Sequence, residues 1–489
     1  MRTSPCSSDC GRLWPFDPVV MRILFAPWLI IFAGAAFCGC GSGPNPATVS
    51  EVAGILVLPN DNGNGGGSNP NTSYIAAAAP SAAGFFTSIA QGCGGCQSGA
   101  QADYASMFAP PSLLAISLSQ DLGSGGSSGS GIDLALSTDG TVYWAVPAEV
   151  TISSSGSSAG IALWMGSAAA VVQSAAASQS SVPGWANFPL VTPSTNPSAS
   201  TPQYSSYEIV GMVAETDAVY VSVALLPTLT NETVPASPDS PEWVQGAANT
   251  GATPTAAHLP SQGLIFAVSC STPPCLGEVA PAAVSTTFDP AVAIHTLVSF
   301  NGSLCWLDAT SQVLCAPAGW AGTTPPTPTV LSAPSLPAGW SLVAVASAGS
   351  GNQSVLVWAA APDIGPGVGG CLVWMSAAGA APVQVYNGSQ DSFFCRGLAT
   401  DGQYAYFTMN EVAATNEGPS CTNCTNGTYV AGVVGIGIAR VPLAGGAAQT
   451  LPLQSQSWYG PRRVFVDATY VYGVDPSYVL RMPLGTFAL

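Results

Sequence analysis

The chain has 489 residues, eight of them basic and 25 acidic, for a net charge of −17 and a charged fraction of 7%, against roughly 25% in an ordinary soluble protein. Every basic residue is Arg, so neither a nucleic-acid surface nor a polybasic membrane patch can be assembled. His258 and His295 are the only imidazoles, which excludes a His-rich metal site, while an apolar fraction of 47% suffices for a large core.

Met21-Arg22 precedes an apolar stretch from Ile23 to Phe37, which ends at Cys38-Gly39-Cys40-Gly41-Ser42-Gly43. A short basic start, a brief apolar run and a small-residue exit make an export signal, too short to span a bilayer. Residues 1–40 therefore read as a lipoprotein-type signal region with Cys40 as the acylated residue; residues 1–20 lack signal character, which makes Met21 an alternative start. Phe37 and Cys38 depart from the usual residues before the acylated Cys, and a plain secretory signal is the competing reading. Removing residues 1–39 leaves five Arg against 23 acids, a mature charge of −18.

Residues 41–110 are expected to be flexible linker followed by an Ala/Gly-rich segment. Asn60 to Pro70 is dominated by Asn and Gly, a composition that stays solvated, and Val52 to Leu58 can form one strand. Asp61 to Gly66 echoes a calcium loop, but Thr72 stands where a bidentate Glu is needed. Residues 74–110 are ambiguous between a short helix and irregular structure.

From residue 111 a repeat sets in. Ser137-Thr138-Asp139-Gly140-Thr141-Val142-Tyr143-Trp144 is a turn followed by an aromatic strand. It recurs as Glu215-Thr216-Asp217-Ala218-Val219-Tyr220-Val221, Phe300-Asn301-Gly302-Ser303-Leu304-Cys305-Trp306, Thr400-Asp401-Gly402-Gln403-Tyr404-Ala405-Tyr406-Phe407 and Val466-Asp467-Ala468-Thr469-Tyr470-Val471-Tyr472, with a weaker copy at Gly351-Asn352. Asp or Asn beside a small residue suits a tight hairpin, and the β-branched and aromatic residues after it suit a pleated strand. A further strand trails each copy, clearest in Ile438-Ala439-Arg440-Val441-Pro442-Leu443 and its counterpart Val479-Leu480-Arg481-Met482-Pro483-Leu484. The turns are spaced by 78, 84, 51, 49 and 66 residues, and the tighter intervals match a propeller blade of about 40–50 residues. The fold class expected is all-β, a β-propeller of about six blades, with five to eight tolerable, over residues 111–489. No amphipathic crossover helix is expected.

Asp-Gly-x-Val-Tyr-Trp at 139–144 and Asp-Gly-x-Tyr-x-Tyr-Phe at 401–407 resemble the repeats of YWTD-type propellers. The Arg-x-Pro-Leu strands at 440–443 and 481–484 are similar to those of lipid-anchored bacterial propeller proteins, including many from myxobacteria. That resemblance implies envelope display.

Beyond Cys40 lie ten Cys, an even number in an exported chain, which reads as a disulfide framework. Cys305 and Cys315 flank a short apolar hairpin and favour a cross-strand bridge. Cys93 with Cys96, Cys421 with Cys424, and Cys270 with Cys275 are further candidates; the two C-x₂-C pairs also have zinc-ligand spacing, but they lie in Gly/Asn-rich loops without neighbouring His. No metal and no cofactor is expected.

Two Gly-x-Ser-x-Gly matches, at 125–129 and 156–160, lie in Gly/Ser stretches and lack the strand–turn–helix setting of a nucleophile elbow. The turn carboxylates Asp139, Asp217, Asp401 and Asp467 either cap their own turns or converge on a shared cation or glycan. Arg440 and Arg481 are expected to pair with nearby acids. Trp144, Trp164, Trp306, Trp358 and Trp374 read as core, whereas Trp243, Trp320, Trp340 and Trp458 read as candidate binding surface. The reading that follows is a non-enzymatic recognition or scaffold protein on the outer membrane. It is expected to be monomeric, to touch the membrane through its lipid only, and to meet an unidentified protein or glycan of the envelope. The competing class is a propeller enzyme of lyase, glycosidase or lactonase type with carboxylates at the channel mouth.

Overall fold

The computed structural model describes residues 53–57, 73–81, 84–92, 102–108, 116–121, 133–153, 156–176, 186–191, 204–215, 218–227, 261–269, 282–288, 297–321, 324–362, 369–415, 430–452, 463–475 and 478–488. All of them fall within one compact unit, 43–489.

After β1 (Ala53–Val57), the strands group by fours in chain order. Sheet one holds β2 (Ser73–Ser81), β3 (Gly84–Gly92), β4 (Ala102–Phe108) and β5 (Ile116–Asp121). Sheet two holds β6 (Asp133–Leu136), β7 (Thr141–Ser153), β8 (Gly156–Ser167) and β9 (Ala186–Val191), with α1 (Ala168–Ala176) in its last connection. Sheet three holds β10 (Tyr204–Ala214), β11 (Ala218–Pro227), β12 (Ser261–Ser269) and β13 (Ala282–Phe288). Sheet four holds β14 (Leu297–Phe300), β15 (Ser303–Leu307), β16 (Val313–Pro317) and β17 (Thr329–Ser332). Sheet five holds β18 (Trp340–Ala348), β19 (Val355–Pro362), β20 (Cys371–Ala377) and β21 (Val383–Gly388). Sheet six holds β22 (Leu398–Thr400), β23 (Tyr404–Thr415), β24 (Val430–Pro442) and β25 (Gln449–Pro452). Sheet seven holds β26 (Arg463–Val466), β27 (Tyr470–Asp475) and β28 (Tyr478–Pro483), and its fourth strand is β1, antiparallel to β28 with Ala53 opposite Arg481 and Val57 opposite Tyr478.

Each sheet is an antiparallel meander. The first strands adjoin in the order β2, β6, β10, β14, β18, β22, β26, and β26 adjoins β2 again. The strands read as near-continuous apolar runs because both faces of a sheet are covered by its neighbours. Successive side chains point to opposite faces: Val219, Val221 and Val223 pack with Tyr143, Leu163 and Met165 of sheet two, whereas Tyr220 between them packs with Trp306 and Trp320 of sheet four. The same alternation puts Trp358 against sheet four and Val357 against Phe407 of sheet six.

In a four-stranded antiparallel meander, alternate connections share an end. The 1–2 and 3–4 connections lie at one end, here the turn end. The 2–3 connections and the sheet-to-sheet links, such as 333–339 and 389–397, lie at the other, the insert end, where the chain also leaves β9, β11 and β23 and re-enters at β10, β12 and β24.

All six turn copies join the first and second strands of a sheet, in sheets two to seven, and the trailing strands are the third strands of those sheets. The expected count of six becomes seven sheets. The additional one, β2–β5, lies largely within the segment expected to be linker and Ala-rich, ahead of the expected start at 111. It escaped the repeat because Ala82-Ala83 stands between β2 and β3 where the other sheets have Asp or Asn. The strand expected across 52–58 is β1, and it belongs to the last sheet.

Candidate functional site

At the turn end, the repeated carboxylates are engaged by their own turns. Oδ1 of Asp401 accepts the backbone N–H groups of Gln403 and Tyr404, both at 2.8 Å, and its Oδ2 accepts the Tyr406 hydroxyl at 2.8 Å. Asp467 repeats this: Oδ1 accepts the N–H groups of Thr469 and Tyr470 at 2.7 Å each, and Oδ2 the Tyr472 hydroxyl at 2.6 Å. Asp139 accepts the Thr141 N–H at 3.0 Å and the Ser137 hydroxyl. Gly140 and Gly402 follow the Asp at φ +86° and +87°, a region where a Cβ is strained. The Asn301-Gly302 hairpin has both residues at positive φ, 48° and 72°, the mirror-image turn that matches strand twist. Asp217 lies outside the described residues.

These bonds set the local acidities. The Ser137 hydroxyl is the chief cause of a lowered Asp139 pKa, and burial of Tyr143, aided by the Asp139 charge, raises that phenol to about 12. For Asp467 burial pulls upward, but the Tyr472 hydroxyl, the two backbone N–H groups and the Arg481 charge outweigh it, and its pKa is lowered. Burial and the Asp401 and Asp467 bonds push the Tyr406 and Tyr472 phenols well above their ordinary value.

Arg440 and Arg481 lie opposite those tyrosines, Arg440 facing Tyr406 and Arg481 facing Tyr472 in register. Arg440 was expected to pair with an acid, but its guanidinium is sandwiched 4.5 Å from the Tyr404 ring centroid and 4.8 Å from that of Phe487. Its Nε donates to Gln449 Oε1 at 2.7 Å and its Nη1 to the Leu484 carbonyl at 3.3 Å. A planar cation stacks on rings readily, and Tyr404 and Phe487 are the rings that flank it. Arg481 stacks on Tyr470 at 4.5 Å while its charge acts on Asp467.

At the insert end, Asp133 and Arg463 are the first residues of β6 and β26, the first strands on either side of β2. Arg463 Nη1 lies 3.9 Å from Asp133 Oδ1, with side-chain exposures of 14% and 3%, and Asp133 Oδ1 also accepts the Leu134 N–H at 3.0 Å. Arg463 stands out in sequence as half of the doublet Arg462-Arg463. Asp133 does not, because nothing beside it in sequence marks it. Asp308, which caps the β15–β16 turn through Thr310 and Gln312, was also missed, although Asp308-Ala309-Thr310 spells the same turn as Asp467-Ala468-Thr469.

Cys305 and Cys315 are opposite one another across β15 and β16 and are disulfide-bonded as expected. A second disulfide joins Cys371 of β20 to Cys395 in the link to sheet six. Two disulfides indicate an oxidising compartment. Cys40, Cys93, Cys96, Cys270, Cys275, Cys421 and Cys424 lie outside the described residues, as do His258, His295, Trp243 and Trp458. Trp144, Trp306 and Trp358 are core as expected. Trp320, expected on a binding surface, is instead 4% exposed and packs on Tyr220 at 5.6 Å, because the connection after β16 folds back onto sheet three. Trp340 is partly buried at the start of β18. Among the described residues no three His, Cys, Asp or Glu side chains come together as metal ligands, and no helix is long and apolar enough to cross a membrane.

No protein-family model and no curated protein matches the chain. Solved structures similar to it include Trypanosoma rangeli sialidase, with 12% identity and a TM-score of 0.33 over 72% of this chain and 54% of that one. Parainfluenza virus 5 hemagglutinin-neuraminidase has 8% identity and a TM-score of 0.34 over 88% of this chain and 95% of that one. PorZ, a bacterial surface component of the type-IX secretion system of Porphyromonas gingivalis, has 12% identity and a TM-score of 0.27 over 83% of this chain and 42% of that one. The chain thus spans about half the length of the trypanosomal protein. None of these likenesses assigns a residue or a reaction to it.

Proposed function

We propose that the seven sheets are the blades of a β-propeller, exported and held to the envelope by a lipid on Cys40, and that it works as a non-enzymatic recognition or scaffold module. The observation that carries this reading is the state of the turn carboxylates. Asp139, Asp401 and Asp467 are each consumed by the backbone and hydroxyl donors of their own turn, which fits a role in holding blades together rather than in sharing a substrate. Variation between blades is concentrated in the inserts, and connecting segments carried by a rigid scaffold are the usual seat of recognition. The test is affinity capture from envelope extracts with the full chain and with a variant lacking 232–257. Retention of a defined protein or glycan by the full chain and its loss in the variant is the expected result; identical retention sinks the recognition role of that insert.

The second reading, an enzyme of lyase, glycosidase or lactonase type, has Asp133 in its favour, a buried carboxylate beside an Arg where a first strand begins. It requires turnover of a glycoside, uronide or lactone panel that Asp133→Asn abolishes.

A further inference from the structure

We infer that the lipid anchor orients the molecule, holding the turn end toward the membrane and presenting the insert end away from it; this rests on the reading of Cys40 as acylated. The argument is topological. In sheet seven the chain runs along β26 from the insert end to the Asp467 turn, returns along β27, and comes down β28 to the turn end again. Because β1 is antiparallel to β28, with Ala53 opposite Arg481 near the end of β28, β1 begins at the turn end. Whatever precedes Ala53 therefore joins the propeller at that end, on the outermost strand of the last sheet. After Val57 the chain leaves at the insert end, where β2 begins.

Between Cys40 and Ala53 stand residues 41–52, a Gly/Ser/Pro/Asn/Ala-containing stretch. A segment of this length reaches at most ~40 Å. A tether this short, fixed to one end of the propeller, keeps that end nearer the bilayer on average. The chain leaves β11 and β23 at the opposite end and re-enters there at β12 and β24, whereas the β8–β9 connection that begins with α1 lies at the turn end. The partner class implied is a molecule that reaches the protein from the side of the membrane on which the propeller stands, rather than a lipid or an integral membrane protein of the anchoring bilayer.

The test uses the acylated full-length protein reconstituted in phosphatidylethanolamine/phosphatidylglycerol vesicles that carry an acceptor-labelled lipid. One variant bears a short enzymatically labelled peptide tag after Gly379, in the β20–β21 connection at the turn end. The other bears it after Ser335, in the link at the insert end. Vesicle flotation reports the anchor, and energy transfer to the lipid reports orientation. Wild type is expected to float and Cys40→Ser not to. The Gly379 tag is expected to transfer at least twofold more efficiently than the Ser335 tag. Equal transfer, or stronger transfer from Ser335, overturns the orientation while leaving acylation intact. Flotation that survives Cys40→Ser, or a wild type that does not float, overturns the anchor reading and the orientation with it. Matching thermal midpoints for the two tagged proteins and wild type establish that the tags leave the fold in place.

Discussion

Asp467 accepts two backbone N–H bonds and a tyrosine hydroxyl, so its carboxylate is favoured over its acid form and it binds a proton more weakly folded than unfolded. Asp139 has the same sign for a simpler reason, the Ser137 hydroxyl. A lowered folded pKa means stability present above the unfolded value of about 3.9 and lost as pH falls through the folded one. Thermal midpoints measured from pH 7 down to pH 2 should therefore fall below about pH 4, and the fall should be shallower in an Asp139→Asn, Asp467→Asn double variant. An unchanged acid limb would show that these turns are not what acid attacks. Tyr143 acts at the other extreme: with its phenol raised to about 12, the unfolded chain ionises first, and stability drains between about pH 10 and that value. Tyr143→Phe should make this alkaline limb shallower, the raised Tyr406 and Tyr472 phenols supplying the remainder. Such turn residues are legible in sequence because Asx chemistry is local: donor and acceptor lie two or three residues apart. Asp133 was illegible for the opposite reason, since the partner that gives it meaning, Arg463, is brought to it only by the arrangement of sheets two and seven.

At the scale of elements the two disulfides make the same contrast. Cys305 and Cys315 close a hairpin within one sheet, and a ten-residue separation between two apolar strands points to cross-strand pairing. Cys371 and Cys395 are bridged because the link after sheet five turns back beneath β20, beside the isolated pairings of Phe394 with Gly370 and Asn410; no local pattern announces that path. Closing loops of 10 and 24 residues restricts the unfolded chain by about 2–4 kcal/mol each. Cys371→Ala/Cys395→Ala should cost in that range by chemical denaturation, and since Cys395 is fully buried among the sheet five and six core residues, the loss should bring extra proteolysis at 389–397. A cut pattern unchanged from wild type would argue that packing alone holds the link. The stacked Arg440 belongs to this scale too, joining β24 to the last turn through Leu484 and Phe487. The matching Arg-x-Pro-Leu strands revealed where such residues recur, but whether they met acids or rings depended on what the neighbouring strand offered.

For the whole molecule, the repeated turns marked six sheets and missed the one built from Ala-rich strands, whose identity comes from its place between β6 and β26 rather than from its residues. The last sheet is assembled from both ends of the chain. Deleting 53–57 should leave β28 as an unpaired edge, lower the thermal midpoint by about 5 °C or more, and promote association through that edge. A synthetic peptide spanning 51–59 should restore the midpoint by adding the strand back. Wild-type stability in the deletion would mean that β1 contributes nothing to closure. Sharing a sheet between the two ends also sets a timetable for synthesis. Ala53, made early, has as its partner Arg481, made long after it. Contacts so distant in sequence form slowly, so six sheets can assemble while the seam stands open. A chain stalled or clipped before Tyr478 then leaves both β1 and β27 with an unsatisfied edge, which marks unfinished copies for proteolysis.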